Sequence, residues 1–265
     1  MTYIHGFNEI EQARLVSQAA VLEDKIFKNI DFKGATKILE IGSGVGAQTE
    51  ILLKRYPEAH ITGVELSEVQ LNTAKSYIGS KFDKSRYSYY NANAETLPFE
   101  NDSFDAVYIC WVLEHVPNPQ RIIDECFRVL KPKGIITISE VQNNNLWLIP
   151  KSEIILNYWN KYNDLQLKLG GNPFVGVEIG NFIYNSGFKN IETSSRNFLY
   201  DNSMPNHREM MVDYWLNLLL SGFDNLLKHN KVKIEDKSII VSEMKKVSQV
   251  NGVFNYAFIQ STGKK

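Results

Sequence analysis

The sequence has few of the features that mark specialised classes of protein. Only two cysteines occur among 265 residues, and the spacing of Cys110 and Cys126 fits neither a disulfide framework nor a zinc site. Lys and Arg number 29 against 30 for Asp and Glu, which leaves no excess of basic charge to hold a polyanion. These counts favour a protein of a reducing compartment whose partner is not nucleic acid.

Long apolar runs are also missing. No segment approaches the roughly 20 apolar residues of a membrane span, and residues 1–6 carry no basic stretch followed by an apolar run. The apolar fraction of 43% nevertheless supports a sizeable buried core. We therefore expect a cytoplasmic protein with one large domain over residues 1–265.

Short apolar segments alternate with amphipathic ones through the first half of the chain. An amphipathic helix is predicted over residues 10–30, within an N-terminal cap of residues 1–30. Five strands are predicted over residues 37–41, 61–65, 87–91, 104–110 and 135–140. The segments between them that have helical periodicity are 48–56, 67–78 and 119–130. This alternation predicts an α/β fold with a doubly wound, mostly parallel sheet over a core of residues 31–142.

After residue 142, two insertions interrupt the alternation of predicted strands and helices. The first, residues 143–171, is rich in aromatic residues and reads as helical, and the second is residues 202–250. Between and after them, a loop and helix over 173–186 and strands over 190–198 and 254–261 complete a seven-stranded sheet. Two insertions on one side of a core predict a helical lid.

A glycine-rich turn follows the first predicted strand. In Glu40-Ile41-Gly42-Ser43-Gly44-Val45-Gly46, the residues Gly42 and Gly44 allow close approach of backbone to a ligand, and the next helix offers unpaired N–H groups. Glu65 ends the second strand, where a carboxylate accepts hydrogen bonds from a ribose diol. Turn and acid together predict a nucleoside site, although Gly42, Gly44 and Ala47 also satisfy a dinucleotide fingerprint.

Several blocks resemble, in the same order, those of Rossmann-like methyltransferases that use S-adenosylmethionine (SAM). The resemblance is strongest to the ubiquinone and menaquinone biosynthesis branch. Besides the glycine turn, the blocks are Gly63-Val64-Glu65-Leu66-Ser67, Leu97-Pro98-Phe99, Ser103-Phe104-Asp105, Leu113-Glu114-His115-Val116 and Arg128-Val129-Leu130-Lys131-Pro132-Lys133-Gly134. The resemblance implies a Rossmann-like methyltransferase fold, SAM as cofactor and a small-molecule acceptor.

The resemblance also implies roles for individual residues. Glu40 would neighbour the methionine ammonium, Gly42, Ser43 and Gly44 would line the methionine and ribose, and Glu65 would hold the ribose hydroxyls. Asn93, Ala94 and Glu95 would lie at the adenine, where Asn93 replaces the acidic residue frequent in the family but keeps a carbonyl acceptor. The remaining cofactor candidates are Tyr3, Leu66, Gln70, Cys110 and Trp111.

Methyl transfer needs alignment of nucleophile, methyl and sulfur, so no metal is required. His115 and Glu140 are the candidate bases, because they follow the fourth strand and end the fifth at the edge where α/β sheets bind ligands. A structural hydrogen-bonding role is the competing interpretation of His115. The candidate acceptor-pocket residues are Trp111, His115, Trp147, Tyr158 and Tyr214, within a wider aromatic group that includes Trp159, Tyr162 and Trp215.

Two other functions remain open at this point. An NAD-dependent oxidoreductase would use the same turn and Glu65, but it leaves the Leu-Pro-Phe and Leu-Glu-His-Val blocks without a role. A noncatalytic SAM-binding protein on the same scaffold is the other alternative. Nitrogen, oxygen, carbon and sulfur acceptors all fit the residues, as does any oligomeric state.

Overall fold

The amino-terminal helix packs on the sheet side that later carries the lid. The structure, a computed structural model, describes residues 5–6 and 9–265. Helix α1 spans Glu9–Ile26 and ends before residue 30, where the sequence pattern placed its end. It buries Ala19 and Leu22 and contacts α2, which spans Ala47–Arg55. Tyr3, an expected cofactor contact, lies outside the described residues.

Five parallel strands form the first half of the sheet. They are β1 (Lys37–Ile41), β2 (His60–Glu65), β3 (Tyr87–Asn91), β4 (Phe104–Cys110) and β5 (Leu130–Val141). Their order is β3-β2-β1-β4-β5, and the crossovers contain α2, α3 (Glu68–Gly79) and α4 (Pro119–Val129). The chain therefore reverses its winding between β1 and β4, and in open α/β sheets such a switch point is where ligands bind.

Both faces of the central strands β1 and β4 are buried, which explains why these strands are nearly continuous apolar runs. On β1, Ile38 belongs to the core shared with α1, α2 and the insertions, whereas Leu39 belongs to the core under α4. Both side chains are 0% exposed. The alternation of side chains along a strand thus serves two cores.

The second half of the chain adds three strands. They are β6 (Trp147–Ile149), β7 (Lys189–Tyr200) and β8 (Val253–Lys264). Strand β8 runs antiparallel to β5 and β6 on one side and to β7 on the other. The seven expected strands are present, and β6 is an additional short strand in a segment that was expected to be helical.

The two insertions supply the helices above the switch point. The first carries α5 (Glu153–Lys168), and the short α6 (Ile179–Asn185) follows it. The second carries α7 (Pro205–Ser221), α8 (Phe223–Lys228) and α9 (Asp236–Val247). Helix α5 contacts α8 and α9, and α7 contacts α1. The expected doubly wound α/β sheet with helical insertions is confirmed, and within the described residues no helix has the length and apolar character to cross a membrane.

Candidate active site

The glycine turn after β1 has the backbone that its sequence requires. Gly42, Gly44 and Gly46 have φ values of +69°, +52° and +85°, a region that side chains with a Cβ rarely adopt. A Cβ on Gly42 would lie 2.4 Å from Val112 Cγ2. The amides of Gly42 and Ser43 donate to the carbonyl of Val64 at 2.8 and 3.0 Å. The turn is thus clamped between the end of β2 and the segment after β4.

Glu65 contacts this turn directly. Its Oε2 accepts a hydrogen bond from the Gly44 amide at 3.0 Å, and its Oε1 accepts one from the Ser67 amide at 2.8 Å. Burial raises the pKa of Glu65, while these amide hydrogen bonds act in the opposite direction. Each carboxylate oxygen keeps a lone pair for a further donor, so the acid is positioned for a diol.

A cavity of about 690 Å³ opens beside the turn, a volume within the usual range for small-molecule sites. Most of the residues expected at the site line it. They are Gly42, Ser43, Gly44, Glu65, Leu66, Gln70, Asn93, Ala94, Glu95, Cys110, Trp111, His115 and Tyr214. The cavity continues from the glycine turn to the insertions, so one space joins the two expected halves of the site.

Buried polar atoms beside the turn provide a test of cofactor fit. Ser43 Oγ and Gln70 Oε1 are buried without a hydrogen-bond partner, and Gln70 lies close enough to Gly44 that a Cβ there would sit 3.1 Å from its Oε1. Asn93 uses its side-chain oxygen to accept from the Glu95 amide at 3.0 Å and retains a second lone pair. Leu66 is 60% exposed at the cavity rim, where an apolar wall for a base is available. These residues fit a nucleoside cofactor.

Glu40 lies beneath the turn and does not line the cavity. It is 2% exposed and accepts a hydrogen bond from Thr49 Oγ1 at 2.5 Å. Burial, together with the nearby Glu65 charge, raises the pKa of Glu40 to about 8 despite the Thr49 hydrogen bond. Glu40 therefore supports the turn from below and does not occupy the position expected for a ligand contact.

Glu140 also differs from its expected place at the cavity edge. It is 0% exposed, and its Oε1 accepts hydrogen bonds from the amides of Val112 and Leu113 at 2.8 and 2.6 Å. Burial and the neighbouring Glu114 raise the pKa of Glu140 to about 8. Because it satisfies the amides that begin the short turn Leu113–His115, Glu140 orients that turn from below and does not line the cavity.

The segment after β4 carries Trp111, Glu114 and His115 into the cavity. Trp111 has a φ of +53°, an unusual conformation for a bulky residue that is stabilised here by its amide donating to the Ser139 carbonyl at 2.9 Å. His115 Nε2 lies 3.7 Å from Glu114 Oε1, beyond a normal hydrogen bond. Glu114 and His115 thus line the cavity at the point where core and insertions meet.

Two expected pocket residues point elsewhere. Trp147 is 60% exposed on the short strand β6. Tyr158 donates its hydroxyl to the Leu219 carbonyl at 2.5 Å and stacks on Phe223. Trp159 and Tyr162 occupy the face of α5 that lines the cavity, whereas Tyr158 lies on another face of the helix, toward α7 and α8.

Sequence reasoning missed Arg14 and Gln18, which bring α1 to the cavity. Arg14 binds Glu11 through Nε and Nη2 at 2.7 and 2.6 Å, and its Nη1 donates to Gln18 Oε1 at 2.6 Å. Among the described residues that line the cavity, Arg14 is the single Arg or Lys. The helical spacing of Glu11, Arg14 and Gln18 was a visible signal that these side chains share a face.

Glu114, Asn143 and Tyr256 are also cavity residues that the sequence did not single out. Asn143 links the insertion to the last strand, since its Oδ1 accepts from the Tyr256 hydroxyl at 2.9 Å and its carbonyl accepts from Trp159 Nε1 at 2.7 Å. His5 also lines the cavity and pairs with the Tyr162 hydroxyl at 2.7 Å.

The core of the chain is similar to known proteins. A family model described as a methyltransferase domain matches residues 39–138. A ubiquinone biosynthesis O-methyltransferase of Dechloromonas aromatica is 38% identical over 111 residues, which make up 41% of this chain and 45% of that protein. A sterol 24-C-methyltransferase of Gibberella zeae is 32% identical over 118 residues, or 44% of this chain and 31% of that protein.

The chain spans less than half of the length of either of these two curated relatives. Among solved structures, a phosphoethanolamine N-methyltransferase of Haemonchus contortus, in complex with phosphomonomethylethanolamine and S-adenosylhomocysteine, has a TM-score of 0.62 and 17% identity. The alignment covers 100% of this chain and 60% of that one. At this identity the likeness concerns the fold.

Proposed function

We propose that this chain, which carries a SAM-dependent methyltransferase domain over residues 39–138, transfers the methyl group of SAM to a small-molecule acceptor. One observation supports this above all. The Glu65 carboxylate is hydrogen-bonded to the glycine turn, beside a cavity that extends from that turn to the helices of the insertions. A nucleoside held at one end would present its reactive group to an acceptor held at the other.

The cofactor end of the cavity is assigned as follows. Glu65 would hold the ribose hydroxyls, and the Gly42–Gly44 backbone would contact the ribose and methionine. Leu66, Asn93, Ala94 and Glu95 would contact the adenine, with Gln70 near the turn. Cys110 and Trp111 would flank the methionine, and the side-chain amide of Gln18 on the cavity wall would be a donor suited to its carboxylate.

When bound, SAM supplies a methyl group already activated by its positively charged sulfur. The protein's task is then alignment, which is worth about 7 to 11 kcal/mol in well-oriented reactions. Glu140 contributes by fixing the turn that carries Glu114 and His115, and aromatic side chains of the insertions line the reacting end. If the acceptor is a hydroxyl, His115 is the residue placed to take its proton.

In this proposal, the insertions determine which atom of the acceptor is methylated. The names of the three similar proteins indicate an oxygen, a carbon and a nitrogen acceptor. The sequence matches to the first two cover less than half of this chain, and the family match is confined to residues 39–138. A shared cofactor core therefore serves several acceptor chemistries, and the cavity walls outside it select among them.

A cytoplasmic setting is part of the proposal and agrees with the two free thiols, Cys110 and Cys126.

Calorimetric titration with SAM and with NAD tests the cofactor. We expect SAM to bind and Glu65→Ala to weaken its binding about 10- to 100-fold, the effect of losing charged hydrogen bonds worth about 1.5 to 3 kcal/mol. The exposed Glu58→Ala is the matched control and should leave the affinity within about twofold. Micromolar binding of NAD without binding of SAM would overturn the proposal in favour of an oxidoreductase.

Turnover needs a separate measurement. Incubation of the protein with methyl-labelled SAM and a metabolite extract should transfer the label to a small molecule. Binding of SAM with no labelled product across extracts of broad composition would instead favour a noncatalytic SAM-binding protein.

A further inference from the structure

We infer that the acceptor end of the cavity is an amine site, in which the Glu114 carboxylate receives a cationic primary or secondary amine against an aromatic wall. This inference rests on the proposed function and deepens it by naming the class of acceptor. Three features support it: the fixed position of Glu114, the charges around it and the rings beside it.

Glu114 is held rigidly at the seam between core and insertions. The residue is 8% exposed, and its Oε2 accepts a hydrogen bond from Gln166 Nε2 at 2.7 Å. Its main-chain carbonyl accepts from the Asn172 amide at 2.8 Å, and a Cβ on Gly171 would lie 2.4 Å from that carbonyl. The end of α5 thus fixes the turn from above while Glu140 fixes it from below.

The charges that line the cavity leave this carboxylate without a strong cationic partner. Within the described part of the chain, no Lys or Arg lies within 4 Å of it, and the nearest basic group is His115 Nε2 at 3.7 Å. Arg14 is bound through two nitrogens to Glu11, so its charge is already balanced. A buried carboxylate that lacks a cation is costly, and a positively charged ligand offsets that cost.

The neighbouring acid responds to the same negative potential. Glu140 is fully buried beneath the turn, and burial together with Glu114 raises the pKa of Glu140 to about 8. Glu140 does not line the cavity, so of these two acids Glu114 is the one that faces it.

Aromatic rings form a continuous wall beside Glu114. Trp159 stacks on Tyr162 with ring centroids 5.1 Å apart, and Trp215 lies 5.6 Å from Trp159 and 4.4 Å from Tyr256. Each of these four residues is 3% exposed and lines the cavity. Ring faces attract cations, most strongly when water is excluded, so a carboxylate beside rings selects an ammonium over a neutral group of the same shape.

The reaction balances for such an acceptor. The bound ammonium first releases a proton, for which the Glu114 carboxylate is the adjacent acceptor, and the proton then passes to solvent. The freed nitrogen lone pair forms the new N–C bond as the C–S bond breaks and its electron pair stays on sulfur. One ammonium and one sulfonium thus give a methylated ammonium, a neutral thioether and a released proton.

The test compares two ligands that differ in charge alone. Phenethylamine and 2-phenylethanol have nearly the same shape, and each is titrated into the full chain saturated with S-adenosylhomocysteine while tryptophan fluorescence is followed. We expect the amine to bind at least tenfold more tightly than the alcohol. Glu114→Gln should abolish this preference, whereas Glu114→Asp should keep part of it and Glu58→Gln all of it.

Separate titrations with SAM and S-adenosylhomocysteine locate the effect. In Glu114→Gln both affinities should stay within about threefold, which also shows that the variant folds. Equal binding of amine and alcohol by the unaltered chain overturns the inference, as does selective loss of SAM affinity in Glu114→Gln, which would assign the carboxylate to the sulfonium. Failure of the unaltered chain to bind SAM would instead remove the proposed function.

Discussion

The two ends of the cavity are built in different ways. At the cofactor end, the backbone forms the site. Three glycines have positive φ, and amides of the turn donate to Glu65 and to the Val64 carbonyl at the end of β2. At the acceptor end, side chains from α5, α7 and β8 meet, and packing of their rings defines the wall. Changes at the cofactor end should therefore alter affinity, whereas changes at the acceptor end should alter stability and selectivity.

The largest expected effect is on stability, at the centre of the aromatic wall. Trp215→Ala removes contacts with Trp159, Phe254 and Tyr256, so we expect the free energy of unfolding to fall by about 3 to 5 kcal/mol. That corresponds to a decrease in Tm of roughly 10 °C for a domain of this size. Calorimetric melting measures it, and below the melting range the SAM affinity should stay within about threefold.

Trp147→Ala provides the matched control. The same residue type on β6 is 60% exposed, so its loss should change the free energy of unfolding by less than about 0.5 kcal/mol. A large loss of SAM affinity in Trp215→Ala under conditions where it remains folded would show that the two ends of the cavity are not separable.

The next effect is on affinity, at the glycine turn. Gly42→Ala places a Cβ 2.4 Å from Val112 Cγ2 at a φ of +69°, so the turn must shift. We expect SAM to bind about 100-fold more weakly, which corresponds to about 2.8 kcal/mol. Titration calorimetry measures this loss.

Gly34→Ala separates strain from the clash. Gly34 has a φ of +84° but nothing within 4 Å of the position of its Cβ, so substitution should cost stability alone. An equal loss of SAM affinity in both variants would contradict the role given to the turn.

The smallest expected effect concerns Glu140 and pH. Its pKa rises from 4.5 to about 8 on folding, so the folded chain holds this proton more tightly than the unfolded chain does. The resulting stability is complete below pH 4.5 and is lost as the pH rises toward about 8. Glu140→Gln should therefore reduce the decrease in Tm between pH 6 and pH 8.5 by about 5 to 10 °C, the shift that roughly 2.5 kcal/mol produces.

Glu40, whose pKa is also raised to about 8, remains in that variant and retains its own contribution. Melting curves at several pH values measure the difference between the two proteins. A pH dependence that is identical in both would mean that Glu140 is ionised in the folded chain.

The sequence predicted the core because its signals there are local. Strands such as 37–41 and 104–110 are apolar runs bounded by turns, and their observed bounds agree. Strand β6 was missed because three residues, Trp147–Ile149, carry no periodicity, and they form a strand only through pairing with the distant Val253–Asn255. Long-range pairing of this kind overrides local propensity.

The site residues that the sequence predicted are likewise those fixed by local signals, and those that it missed depend on long-range packing. Glu65 was found because a strand end beside a glycine turn is a position that topology fixes. Glu114 was overlooked because its carboxylate matters through Gln166 and the rings of α5 and α7, which the linear sequence does not place beside it. Tyr158 and Trp159 are adjacent in sequence, and the rotation of α5 decides that only the second lines the cavity.

The direction of β8 has a consequence for how the chain is made. This strand fills the gap between β5 and β7, with Val141 paired to Phe258 and Tyr200 to Phe254. As the polypeptide leaves the ribosome, β5 and β7 both emerge before the strand that joins them, and their edges stay open to other chains until then. Nascent protein in this interval is the species that a chaperone would have to shield.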